Sequence, residues 1–196
     1  MKTTNMRIAV ALAVTLAAQR PAAAQTGPEQ TQKFVKSVEV TVKAIGESRA
    51  QLAKAVATYN SMIEMTAPDL KNAYKDLTRD IAESEKKVIA GRPRVEEMNN
   101  AANVYFTSRH ASAQAITDPE LKKRSEERLN AAHEQFQKIS AAGKEARQNF
   151  DTLMNDAKNQ ATFLGHDLNA SAIATLKPDE VSEPFETFTS IATPLV

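Results

Sequence analysis

The sequence predicts an all-α fold, an elongated antiparallel three-helix bundle or coiled coil with a short C-terminal helix. Three observations predict it. A Thr-x-Pro-acid tetrapeptide occurs as Thr26-Gly27-Pro28-Glu29, Thr66-Ala67-Pro68-Asp69 and Thr117-Asp118-Pro119-Glu120. Each precedes a long stretch in which apolar residues recur at alternating steps of three and four, the period of a helix that buries one stripe. With seven Phe, three Tyr and no Trp, the core must be built from Val, Ile, Leu, Ala and Met, which suit thin helical seams.

Each tetrapeptide is a helix start for a physical reason. The Thr hydroxyl can accept from an orphan backbone N–H, and the acid three residues on can reach back to the Thr N–H. Proline in the first turn lacks an N–H that would find no partner there, and the acid complements the positive end of the helix dipole. The first helix is expected over 28–65, with Val35, Val38, Val42, Ile45, Leu52, Val56, Tyr59 and Ile63 on its seam and Arg49 in the one gap. The second is expected over 68–116, carrying Leu70, Tyr74, Leu77, Ile81, Ser84 and Val88, then Val95, Met98, Ala102 and Tyr105. Gly91-Arg92-Pro93 interrupts it, because an interior proline removes a backbone hydrogen bond. The seam keeps its phase across the interruption, which reads as a kink at 91–93, with a full break as the alternative. The third helix, over 119–167, holds Leu129, Ala132, Phe136, Ile139, Gly143, Ala146, Phe150, Leu153, Ala157 and Leu164, with Gln160 at one seam position. Short connections make the three antiparallel neighbours. The segment 177–196 begins Lys177-Pro178-Asp179-Glu180, contains Pro184, and reads as a short helix capping one end, then a frayed tail.

Residues 1–24 read as an address. Lys2 and Arg7 form a basic start, Ile8 to Ala18 a short apolar run, and Ala22-Ala23-Ala24 a small-residue cleavage site before Gln25. As a helix that run measures roughly 16 Å against about 30 Å of hydrocarbon, too short for a permanent span. The expectation is a periplasmic protein cleaved after Ala24, with no transmembrane segment in the mature chain. Loss of Lys2, Arg7 and Arg20 leaves 22 basic against 24 acidic side chains, a net of −2, which disfavours nucleic acid as a partner. The absence of cysteine excludes thiol catalysis, iron–sulfur clusters, c-type haem attachment and lipobox acylation.

The chemistry-bearing residues form no recognised constellation. His110, His133 and His166 are the obvious metal ligands, yet the residues three before them are Thr107, Asn130 and Phe163, so the Glu-x-x-His pattern of helical di-metal sites is missing. No cofactor and no metal site is expected. Arg49 and Arg109 sit where the seams expect apolar residues, either as a polar pocket or as register-setting, snorkelling cations, with Arg109 falling opposite Ser125-Glu126-Glu127. The run Lys122 to Arg128 alternates sign at steps of four and reads as a solvated face. Folding the seams back on one another places Gly91 opposite Gly143 and near the level of Gly46, beside Pro93. The expectation is a waist of close backbone approach, with coincidence as the alternative.

Two segments carry a resemblance. Leu121-Lys122-Lys123-Arg124-Ser125-Glu126-Glu127-Arg128-Leu129 and Phe163-Leu164-Gly165-His166-Asp167-Leu168-Asn169-Ala170-Ser171-Ala172-Ile173-Ala174-Thr175-Leu176 resemble stretches of the bacterial family of domain of unknown function 2959. The resemblance is specific between Thr117 and Leu176 and earlier is only a similar helical layout. It implies exported, helical proteins and no activity; lipid anchoring, common in the family, does not transfer because the lipobox cysteine is missing. His166, Asp167 and Asn169 read either as a recognition site or as a helix end, with His at the negative dipole end and Asn in a left-handed C-cap. The functional expectation is a non-enzymatic scaffold, adaptor or spacer of the envelope. The alternative is a periplasmic holdase-type chaperone or envelope-surface binder. The protein partner is unknown, and self-association is left open.

Overall fold

The computed structural model describes residues 26–64, 69–176 and 179–192. Three long helices dominate: α1 (Thr26–Ile63), α2 (Leu70–Gln114) and α3 (Pro119–His166). At 1.5 Å per residue they measure about 57, 68 and 72 Å. A single turn, α4 (Ala170–Ile173), and a shorter helix, α5 (Asp179–Ala192), follow. No strand occurs among the described residues. The expected signal peptide, the Thr66-Ala67-Pro68 start, Lys177-Pro178 and the tail after 192 lie outside them, as does the Thr26 side chain.

The helix starts differ from expectation in one instructive detail. α3 is capped by Asp118, not Thr117: its carboxylate accepts from the Leu121 N–H at 2.8 Å, with Pro119 in the first turn. A residue before proline is driven to extended backbone, which is the conformation an N-cap needs, and Asp118 has φ −71° and ψ 120°. At α2 the N-cap is Asp69, whose side chain makes no capping bond. α2 stays helical through Gly91, Arg92 and Pro93, so the reading of a full break is excluded.

α1 and α2 form an antiparallel hairpin in close contact along their length, and α3 returns beside α2. The α1–α2 register agrees with the sequence expectation: Thr41 bonds the Arg94 carbonyl, and a Cβ built on Gly91 would lie 3.9 Å from that of Ala44. The α2–α3 register does not. Lys158 pairs with Glu85, Asp151 with Arg92 and His133 with Phe106. α3 is therefore displaced by about one heptad, or roughly 10 Å. The connection is asymmetric: Ala113 is buried at the end of α2, but α3 buries nothing before Ala132 and leaves Leu121 57% exposed. Its first turns are spent crossing the end of the hairpin. Gly91 consequently lies level with Asp151, not Gly143, and a Cβ at Gly143 would meet nothing within 4 Å. The expected close approach of backbones at these glycines is absent. Gly46 is half-buried on α1.

α5 does not cap an end. It lies along the side of the bundle against α3 and α1, making that half four helices in section. Val181 and Phe188 are buried, Phe188 meets Phe150 edge-on at 6.2 Å, and Ser182 exchanges hydrogen bonds with Asn60 at 3.2 and 3.4 Å. Its apolar face is strong enough to hold this seat despite Pro184.

The core is split. The larger cluster joins Leu52, Tyr59, Leu77, Ile81, Leu153 and Leu164 with the α5 residues. The smaller, at the α2–α3 connection, is aromatic: Phe34, Tyr105 and Phe136 with Met98, Ala101, Ala102 and the half-buried Phe106. Phe34 stacks on Tyr105 at 5.1 Å and meets Phe136 edge-on at 5.6 Å, geometries that aromatic quadrupoles favour.

Candidate functional site

The most chemically distinctive position in the molecule is Asp80, a carboxylate with a side chain only 2% exposed between α1 and α2. Its Oδ1 accepts from Lys54 Nζ at 2.9 Å and its Oδ2 from the Thr58 hydroxyl at 2.9 Å. Arg79 adds a longer contact at 3.4 Å. The Asp80 carbonyl in turn accepts from the fully buried Ser84 hydroxyl at 2.7 Å. Burial by itself would push the carboxyl up. The bonds from Lys54 and Thr58, with the charges of Lys54 and Arg79, outweigh burial and hold it below its ordinary 3.8. Thr58 and Lys54 belong to α1 and Asp80 to α2, so the cluster clamps the hairpin in one register. A slip of even one residue would strand a buried charge.

The neighbouring void, bounded by Leu52, Tyr59, Leu153 and Val181, is apolar and about 10 Å³, at the lower limit for one water, and Asp80 does not line it. The carboxylate's bonds to Lys54 and Thr58 hold α1 and α2 together.

The positions singled out by sequence fall as follows. His166 lies in the last turn of α3, exposed at the negative end of the helix dipole. Asp167 is the C-cap of α3 and accepts from the Asn169 amide. Asn169 is not a left-handed C-cap. With φ −139° and ψ 168° it is the N-cap of α4, its side-chain oxygen accepting from the Ala172 N–H at 2.9 Å. The three residues thus end one helix and start the next. Arg109 is half-buried and serves the Tyr105 hydroxyl one turn back on its own helix, not a carboxylate at 125–127. Burial pushes that hydroxyl above its ordinary 10.0 against the pull of Arg109. Glu126 instead accepts from Gln114 at 3.0 Å. Arg49 is half-buried on α1. His110 and His133 are exposed, and no three His, Asp or Glu converge as a metal site among the described residues.

Sequence reasoning missed two positions. Asp80 was not singled out, although its step of three from Leu77 and four from Ser84 places it on the stripe facing α1. Gly165 is the glycine where space is tight: a Cβ there would lie 2.5 Å from the Tyr74 hydroxyl oxygen. No other signal marks it in the sequence.

A family model described as "Protein of unknown function (DUF2959)" matches residues 21–187. The chain belongs to this family. The match reaches well beyond the segment 117–176 that carried the resemblance. The family's region here includes the Asp80 clamp, the smaller core, the larger core without Phe188, and α5 as far as residue 187. No curated protein and no solved structure matches the chain. No helix among the described residues of this family member is long and apolar enough to cross a membrane.

Proposed function

We propose that this member of the DUF2959 family is a non-enzymatic spacer or adaptor of the bacterial envelope, exported by a signal peptide cleaved after Ala24. The observation that supports this reading is mechanical. Helices of 38, 45 and 48 residues run side by side, and a buried charge clamp sets the register of the first two. Such a body has a defined length of about 70 Å, and its ends lie far enough apart to engage two things at once. Export is supported by the n-region, apolar run and Ala22-Ala23-Ala24 site, which predict a mature chain beginning at Gln25.

The holdase alternative needs a continuous apolar surface for clients. The large apolar side chains that are exposed, Ile89, Val95, Val104, Leu121 and Phe163, are scattered along two helices, as on ordinary surfaces. That distribution favours the adaptor. The deciding experiment is affinity purification of the tagged protein from an envelope fraction, with the mass of its N-terminus read in the same sample. One stoichiometric partner on a chain starting at Gln25 is the expected result. A crowd of unfolded proteins would favour the holdase, and an intact residue 1 on the fractionated protein would overturn export.

A further inference from the structure

We infer that the bundle is two rigid blocks joined by a bending waist, with the α1–α2 hairpin as spine and the α3 side as the part that opens and closes. The two cores share no residue. Between them α2 buries nothing from 85 to 97, and α3 buries nothing from 137 to 145, a stretch that the one-heptad displacement of α3 sets nearer the smaller core, so that the two overlap only near 96–97 of α2. Across the corresponding stretch of α1, 35–51, the buried side chains are Thr41 and Ser48, both polar. A helix in a bundle derives most of its stability from packing an apolar face, so these stretches, where only Val38, Ile45 and Val88 pack in part against the cores, are weak interior parts of the helices.

The backbone is weakened within the same stretches, on α3 about one heptad from the level of Gly91. Gly46, Gly91 and Gly143 all lie in these stretches, and Pro93 lies in the α2 stretch, where its missing N–H leaves the Ile89 carbonyl without its helical donor. Beside Gly143 there is open space, since a Cβ there would touch nothing within 4 Å.

The direction of bending follows from what still crosses the waist. α1 and α2 remain joined by the Thr41–Arg94 bond at 3.0 Å and by Gly91 backing on Ala44. Between α2 and α3 the ties in this stretch are the ion pairs Arg92–Asp151 at 3.5 Å and Lys158–Glu85 at 2.6 Å, all four side chains over 40% exposed and open to exchange with water. The spine holds while the α3 side is free to widen or close. The device is independent of which partner the bundle serves.

The chain has no cysteine, so spin labels can be placed without background. Labels on Glu96→Cys and Lys144→Cys, both exposed, span α2 and α3 at the waist. Lys75→Cys with Thr162→Cys and Thr107→Cys with Glu134→Cys, also exposed, span the same helices inside the two blocks. Pulsed dipolar spectroscopy should give a waist distance distribution at least about twice as wide as either block pair. Adding Pro93→Ala and Gly143→Ala should narrow the waist pair alone. Equal widths for the three pairs would overturn the inference. Narrowing of all three pairs together, or no change at the waist on adding the substitutions, would equally overturn the assignment of the hinge to these residues.

Discussion

Replacing Asp80 by Asn tests the clamp with almost no change of shape. The native carboxylate takes hydrogen bonds from Lys54 and Thr58 at 2.9 Å each and a weaker contact from Arg79. Charge-assisted bonds contribute about 1.5–3 kcal/mol and neutral ones about 0.5–1.5. Lys54 and Arg79 are 56% and 57% exposed, so on losing their partner they turn to water, and their share is discounted to the surface range of about 0.2–1 kcal/mol each. Thr58 can still donate to the Asn carbonyl. The expected cost is about 1–2 kcal/mol, or roughly 2–8 °C in melting temperature for a chain this size. The pH dependence carries the sharper test. The folded carboxyl titrates below its ordinary value, so its contribution is fully present above about pH 4 and is lost as pH falls through the depressed folded pKa. Thermal melts of wild type and Asp80→Asn should therefore differ by a constant amount between pH 5 and 7 and converge in more acid solution. A difference that is absent at pH 7, or that grows on acidification, would refute the clamp.

The N-terminus of α3 offers a paired comparison. Asp118→Ala should lower stability by about 1 kcal/mol because the Leu121 N–H loses its acceptor, while Thr117→Ala should leave chemical denaturation unchanged. The glycines should respond unequally. Gly143→Ala, in open space, should raise stability by about 0.5–1 kcal/mol, whereas Gly165→Ala should gain less, because its Cβ must push aside the end of the Tyr74 side chain. Urea midpoints read both, and equal shifts would count against the α2–α3 register. In the aromatic cluster Phe136→Ala should cost about 3 kcal/mol and lower protection from hydrogen exchange at the α2–α3 end more than around α5.

The long helices were legible because periodicity and proline-marked starts are local signals. Register was legible only for the α1–α2 hairpin. A heptad seam maps onto itself when slid by seven residues, so apolar spacing alone cannot separate the expected α2–α3 alignment from the observed one. Particular ties decide it, among them His133 on Phe106 and Lys158 on Glu85. Asp80 was hidden for a related reason. α2 packs against two neighbours, so its buried stripe is wider than one seam, and a charge on the second edge of that stripe looks solvated. The seat of α5 was obscured by Pro184, which signals a broken helix although Val181 and Phe188 bury the same face on either side of it. At His166–Asn169 the residue types marked a helix boundary, but which end each residue serves depends on the backbone turn that starts α4.

The side-on seat of α5 bears on how the chain matures during synthesis. The α1–α2 hairpin is made first and already contains both halves of its clamp, Thr58 and Lys54 with Asp80, so it can zip before α3 exists. The larger core cannot be sealed until Val181 and Phe188 arrive, which are translated after all three long helices. A chain lacking 179–192 would leave Phe150 and its neighbours facing water along the α1–α3 groove, a sticky, protease-sensitive product. α5 thereby distinguishes chains that carry it from chains cut short before it.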